Sequence, residues 1–121
     1  MPQKNKILVV DDESSNCEML KDFLASRFEG KVEVEVAYNG KEAVEKIEQS
    51  PQPDCVLLDI QMPVMDGLQV LKLLQPKYPD IKFIMVTAND SVSKMMDSMM
   101  NDAFDYVPKP INFDVLEEKI L

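Results

Sequence analysis

ILVVDDE, residues 7–13, runs four apolar residues straight into three acids. A short continuous apolar run such as KILVV (6–10) is the pattern of a strand buried on both faces. Its acidic end raises a question, because like charges repel. Either Asp11, Asp12 and Glu13 are a solvated strand end, or something positive binds there. Outward from this stretch the pattern repeats. CVLLD (55–59) is a second buried run, KFIMVT (82–87) another, and DYV (105–107) a short last strand. VEVEVA (32–37) alternates strictly, which predicts a strand with one wetter side at the edge of a sheet.

Between the strands the period changes to that of a helix. From Ser15, the residues Cys17, Leu20, Phe23, Leu24 and Phe28 fall at helical spacing, and Gly30 is the stop signal. The turn Asn39-Gly40 leads into KEAVEKIEQ, with Ala43, Val44 and Ile47 on one face, ended by Pro51 and Pro53. Asp66-Gly67 reads as the turn into a third helix, DGLQVLKLLQ (66–75), closed by Pro76. SVSKMMDSMMN (91–101) is a fourth, and a last helix runs from Asn112. Five βα units with right-handed crossovers make an open parallel sheet with helices on both faces, an α/β three-layer sandwich. The edge-like second strand suggests the order 2-1-3-4-5, borrowed from other doubly wound sheets.

A chain of 121 residues is one domain, and 45% apolar with 29% charged residues is ordinary for a globular protein. A net charge of −9 argues against direct nucleic-acid binding and against an anionic membrane surface. No apolar run approaches a membrane span, and MPQKNKI lacks a signal-peptide core, so the expected location is cytoplasmic. Cys17 and Cys55 have no metal spacing and read as buried thiols in a reducing compartment. Histidine is absent, which removes His-based triads and His metal sites together.

In such a sheet, ligands bind outside the carboxyl ends of the strands, at the switch point between strands 1 and 3. Strand 1 ends on Asp11 and Asp12, strand 3 on Asp59, strand 4 on Thr87, and Lys109 comes just past strand 5. Three carboxylates in one crevice carry about −3 and call for a cation. Oxygen ligands alone select a hard ion, Mg²⁺ or Mn²⁺, and leave room for water, which suits Mg²⁺ better than a Ca²⁺ cage. Acids merely solvated at strand ends would explain Asp11 and Asp12, but not Asp59 and Lys109 at the same edge. A lysine and a hydroxyl beside a metal site suit a phosphoryl group. Asp59 can serve as the nucleophile, giving an aspartyl phosphate.

VVDDE, LLDIQMPVMDG, MVTA and DYVPKP, in this order, resemble the hallmark segments of the response-regulator receiver domain of two-component signalling, from about Lys6 to Leu121. The resemblance implies a flavodoxin-like (βα)5 fold and a phosphoacceptor switch that catalyses only its own phosphorylation and dephosphorylation. It implies that Asp59 takes a phosphoryl group from the phosphohistidine of a sensor kinase or phosphotransfer protein. Asp12 and Asp59 would ligate Mg²⁺, Asp11 through water, and the carbonyl of Gln61 would add an oxygen. Thr87 and Tyr106 match the family's switch pair, and the bond from Lys109 to Pro110 is usually cis in the family. Helix 4, strand 5 and helix 5 would form the output face, for a partner or an output domain.

This sequence departs from the family in two places. Asp102-Ala103 stands where Gly-Ala is common; Asn101-Asp102 could still cap helix 4, because Asn and Asp tolerate the left-handed conformation. Gln61 and Asn89 hold the positions that tune phosphoryl lifetime, and neither is an acid or base. The methionines of helix 4 (Met95, Met96, Met99, Met100) read mainly as core, although Met-rich helices also make adaptable partner surfaces and some of these could face a partner. DVLEEKIL lacks the arginines of the winged-helix branch. No capping signal follows KIL, so residues 1–121 read as one receiver domain that could be the N-terminal part of a longer protein. The rival readings are a phosphatase or phosphotransferase working through an aspartyl phosphate, a flavin-binding domain, and a receiver-like module that never takes phosphate.

Overall fold

The computed structural model describes residues 5–49, 51–62, 65–88 and 92–120. Ten elements alternate along the chain: β1 (Asn5–Val10), α1 (Ser14–Arg27), β2 (Val32–Ala37), α2 (Gly40–Glu48), β3 (Cys55–Asp59), α3 (Gly67–Leu74), β4 (Lys82–Ala88), α4 (Val92–Met100), β5 (Asp105–Lys109) and α5 (Phe113–Ile120). The strands form one parallel sheet in the order β2-β1-β3-β4-β5. The alternating strand, β2, is therefore an edge, as its polar face requires. No helix among the described residues is long and apolar enough to cross a membrane.

Side chains of successive strand residues point to opposite faces, and the core divides accordingly. Leu8, Val10, Val56, Leu58, Phe83 and Met85 pack with Ala43 and Ile47 of α2 and with Val70, Leu71 and Leu74 of α3. Ile7, Val9, Leu57, Ile84 and Val107 pack on the other face with Cys17, Leu20 and Leu24 of α1 and Leu116 of α5. The seam between α1 and α5 is closed by Phe23 and Phe113, whose ring centroids lie 4.5 Å apart. Arg27 reinforces it, reaching both carboxylate oxygens of Glu117 at 3.0 and 3.1 Å.

Several boundaries differ from the sequence reading. α1 begins at Ser14 and ends at Arg27, before Gly30; that glycine takes φ +72° in the turn leading to β2. β5 runs on to Lys109, so the lysine ends the strand where the sequence placed it just beyond. The last helix starts at Phe113 because Asn112 stays outside as its cap, accepting from the amides of Asp114 (3.0 Å) and Val115 (3.2 Å). α4 is described over Val92–Met100; Ser91, where the sequence reading began it, lies outside the described residues.

The departure at residue 102 has a definite geometry. Asp102 takes φ +64°. Its amide donates to the Met99 carbonyl at 3.1 Å, and the next amide, Ala103, donates to the Ser98 carbonyl at 3.0 Å. These two bonds are the Schellman pair, built here on an aspartate where glycine is the usual residue.

Candidate functional site

Parallel pairing decides what meets at the carboxyl edge of the sheet. Val10 lies beside Leu58, Asp59 beside Val86, and Ala88 beside Lys109, so the ends of β1, β3, β4 and β5 form one rim. Asp11 continues β1 by donating its amide to the Ala37 carbonyl at 3.1 Å, and its side chain is only 3% exposed as a residue. One of its oxygens accepts from the Glu13 amide at 2.9 Å. The other faces the Asn16 carboxamide and the Lys109 ammonium, both at 3.4 Å.

Asp59, the last residue of β3, is 4% exposed. Its Oδ1 accepts from the Gln61 amide at 3.1 Å and its Oδ2 from Lys109 Nζ at 3.1 Å. Asp12 is exposed beside them. Asp11, Asp12 and Asp59 each offer a carboxylate oxygen within 4.8 Å of the others. Lys109 thus spans 98 residues of sequence to Asp11 and 50 to Asp59.

The charges do not balance. Burial pushes the Asp59 carboxyl above its ordinary value; hydrogen bonding and charge from Lys109 pull it back, and the charge of Asp11 pushes the same way as burial. Burial alone would lower Lys109, yet the hydrogen bonds and charges of Asp59 and Asp11 outweigh it and hold the ammonium above its ordinary value. The two shifts point opposite ways for ion-pair formation, since one favours the ion and the other disfavours it. Burial makes the difference: it is the largest influence on Asp59, whereas Lys109 has two carboxylates, Asp59 and Asp11, to outweigh it. About two negative charges remain uncompensated, which is the charge of one divalent cation. The donors are oxygens, so a hard cation fits.

The remaining sequence candidates are placed as follows. Thr87 is the penultimate residue of β4, opposite Pro108; its side chain, and Asn89 entirely, lie outside the described residues, as does the side chain of Met95. Tyr106 is half-buried in β5, opposite Met85, and packs on the cluster beneath α2 and α3. The bond between Lys109 and Pro110 is cis. Met96, Met99 and Met100 are exposed on α4, with Phe104 close behind in sequence, so the expectation that the α4 methionines are mainly core is corrected for these three.

Two contributors to the site escaped the sequence reading. Asn16, in the first turn of α1, braces both Asp11 and, at 3.5 Å, Glu13. Gly67 was taken only for part of a turn. Asp66 is indeed the N-cap of α3, in a capping box with Gln69. Gly67, however, lies against the phosphoacceptor candidate itself: a Cβ there would stand 2.2 Å from the Asp59 carbonyl oxygen. The sequence offered no separate signal, because Asp-Gly is itself a common turn dipeptide.

Comparison with known proteins agrees with this geometry. Residues 7–121 match the family described as response regulator receiver domain. Response regulator MprA of Mycolicibacterium vanbaalenii is 40% identical over 111 residues, 92% of this chain and 46% of that protein. The MprA of Mycobacterium tuberculosis (strain H37Ra) matches over the same 92% and 46% at 40% identity. The chain thus spans about half the length of these curated relatives. Among solved structures, a CheY-like receiver domain protein from Methanospirillum hungatei superposes with a TM-score of 0.88 at 36% identity, covering 98% of this chain and 91% of that one. The signal receiver domain of a DNA-binding response regulator from Colwellia psychrerythraea gives 0.88 at 28% identity, with 97% and 95% covered.

Proposed function

The chain belongs to the response regulator receiver domain family of two-component signalling, and from that premise we propose that Asp59 is its phosphoacceptor. The observation that carries this reading is the Lys109 ammonium bridging Asp59 Oδ2 and Asp11 Oδ2 at 3.1 and 3.4 Å, inside a pocket with surplus negative charge. An ammonium held there can exchange a carboxylate oxygen for a phosphoryl oxygen as the group arrives.

In the proposed reaction an Asp59 carboxylate oxygen attacks phosphorus of a phosphohistidine on a sensor kinase or phosphotransfer protein. An O–P bond forms, the N–P bond breaks, and the imidazole leaves with the bonding pair. Asp11, Asp12 and Asp59, with the Gln61 carbonyl, would hold Mg²⁺, or Mn²⁺ in its place; bound there, it neutralises charge shared by carboxylate and phosphoryl. The Gln61 amide fixes Oδ1, and Oδ2, which accepts from Lys109, would be the attacking oxygen as the ammonium turns to the phosphoryl group. Thr87 would hydrogen-bond the phosphoryl group and Tyr106 would follow it inward.

Phosphorylation adds roughly −1.5 to −2 of charge at pH 7. Inverting a two-state equilibrium from 1:99 to 99:1 takes about 5.5 kcal/mol. Charge-assisted hydrogen bonds supply about 1.5–3 kcal/mol each, so Thr87, Lys109 and one backbone amide together reach that figure with little surplus. A partner docking on the α4–β5–α5 face, where Met96, Met99, Met100 and Phe104 are exposed, would complete the shift. The chain would act as a cytoplasmic switch, turning over no separate substrate, with its output in another part of a longer protein or in a separate partner.

Intact mass after incubation with acetyl phosphate and Mg²⁺ tests this. One added phosphate that requires both the metal and Asp59, and is absent from Asp59→Asn, is the expected result. No adduct after rapid quenching would leave a phosphate-independent interaction module, and multiple-turnover phosphoester hydrolysis would leave an enzyme.

A further inference from the structure

Gly40 has no local reason to be glycine. Asn39, extended at φ −159° and ψ 170°, accepts from the Glu42 amide at 2.8 Å and is the N-cap of α2, so Gly40 is the first helical residue rather than the corner of a turn. Among the described residues Gly30 alone of the glycines has a left-handed φ. Glycine weakens a helix relative to alanine, so its use here calls for a spatial cause.

The cause is Met65. A Cβ on Gly40 would stand 2.5 Å from the Met65 carbonyl oxygen and 2.8 Å from both Cβ and Cγ of that residue. Met65 belongs to the connection that returns the chain from Asp59 to α3, and little slack exists further along it. Asp66 is locked into its capping box, Gly67 donates to the Ile60 carbonyl at 3.0 Å, and Gly67 itself lies against the Asp59 peptide. At the other end of the connection the Gln61 amide holds Asp59 Oδ1 at 3.1 Å.

We propose that Gly40 is a positioning residue for the phosphoacceptor: by letting the first turn of α2 seat on the Met65 backbone, it sets residues 65–67, whose Gly67 lies against the Asp59 peptide, and hence the orientation of the Asp59 carboxylate. A close-packed interior passes a backbone shift on instead of absorbing it. Mg²⁺ demands near-ideal octahedral geometry, so a displaced carboxylate costs affinity. The inference rests on the metal-site reading above, but it predicts a change in the metal-free protein as well.

The test compares Gly40→Ala, alone and combined with Met65→Ala, with the wild type. Magnesium affinity is measured by calorimetry, the Gln61 amide by NMR in metal-free protein, and acetyl phosphate turnover at saturating Mg²⁺. Gly40→Ala is expected to weaken Mg²⁺ binding by about tenfold or more, the range for residues that support a metal's ligands. It should also shift the Gln61 amide, while the rate at saturating Mg²⁺ recovers. Met65→Ala removes Cγ, one of the atoms that a Cβ at residue 40 would meet, so combined with Gly40→Ala it should return both readouts part of the way to wild type, and it decides the matter if Gly40→Ala alone does not fold. A glycine with a merely structural role would lower stability and move neither readout. Either readout at its wild-type value in a folded variant overturns the proposal. If the wild type binds no Mg²⁺, the metal reading falls, and the Gln61 amide still decides the role of Gly40.

Discussion

The Cα of Gly67 is pressed against the peptide of Asp59 so closely that a Cβ would come within 2.2 Å of the Asp59 carbonyl oxygen and 2.8 Å of its carbonyl carbon. Both obstructing atoms are backbone at the end of a central strand, so no side-chain rotation relieves them. Gly67→Ala is therefore expected to cost at least the ~1–3 kcal/mol of ordinary overpacking. The variant should show a lower urea midpoint with an unchanged slope, and weaker Mg²⁺ binding. A variant as stable as the wild type would show that α3 can lift off β3 freely.

Asp59→Asn should raise stability in metal-free protein. Removing one partner of a buried pair ordinarily destabilises, but here Lys109 retains Asp11 at 3.4 Å, and the charge removed is one of three carboxylates whose oxygens lie within 4.8 Å of one another. Urea unfolding in EDTA should give a higher midpoint for the variant than for the wild type. Mg²⁺ should reverse the ranking. A cation that binds only the folded wild type stabilises it by RT ln(1 + [L]/Kd), about 2.7 kcal/mol at a hundred times Kd. The variant, short of one ligand, should gain far less. An Asn variant less stable than the wild type in EDTA would mean the Lys109 pair outweighs the repulsion.

At the helix 4 terminus the conformational cost sits on a single residue. Asp102 takes φ +64° between the two Schellman bonds, donated by its own amide and by that of Ala103, so its backbone is committed to the left-handed region. Glycine occupies that region without a Cβ penalty, and Asp102→Gly should add about 0.5–1 kcal/mol. Asp102→Ala, with the Cβ but no polar compensation, should lose stability. Both can be read from thermal unfolding in one buffer. Equal stability of the Gly and Ala variants would show that the turn relaxes out of the left-handed region.

How much of this was legible beforehand depends on the range of the interaction. Strand identity came from local pattern: ILVV, CVLL and FIMV are apolar on both faces, and VEVEVA announced its place at the edge. Because all strands run one way, their carboxyl ends had to share a rim, and Asp11, Asp59 and Lys109 could be brought together across the whole chain. Close backbone approach has no such signature. Gly40 and Gly67 read as turn residues because Asn-Gly and Asp-Gly are turn dipeptides, whereas the neighbours that require glycine, Met65 and Asp59, are set by helix packing. The pairing of α1 with α5 through Arg27 and Glu117 was hidden for the same reason: neither periodicity nor spacing says which helices share a face.

The two cysteines make the fold's alkaline limit predictable. Burial pushes the Cys55 thiol up to about 12; burial, reinforced by the charge of Asp11, pushes Cys17 up to about 11. Cys17 also donates to the Asp11 carbonyl at 3.3 Å, a bond that only the thiol can make. Both folded values lie above the ordinary 9.0, so between them the folded state holds protons that the unfolded chain has released. Stability must then fall as pH rises, with full stabilisation present below about pH 9 and each thiol removing up to about 1.4 kcal/mol per pH unit above it. The loss from Cys17 levels off near pH 11, and that from Cys55 near 12. At pH 8 a disulfide reagent should leave both thiols unmodified in native protein and titrate two in urea. Cys17→Ala should flatten the decline in urea midpoint between pH 9 and 11. Rapid modification of native protein at pH 8, or an unchanged decline in Cys17→Ala, would place the thiols outside the core.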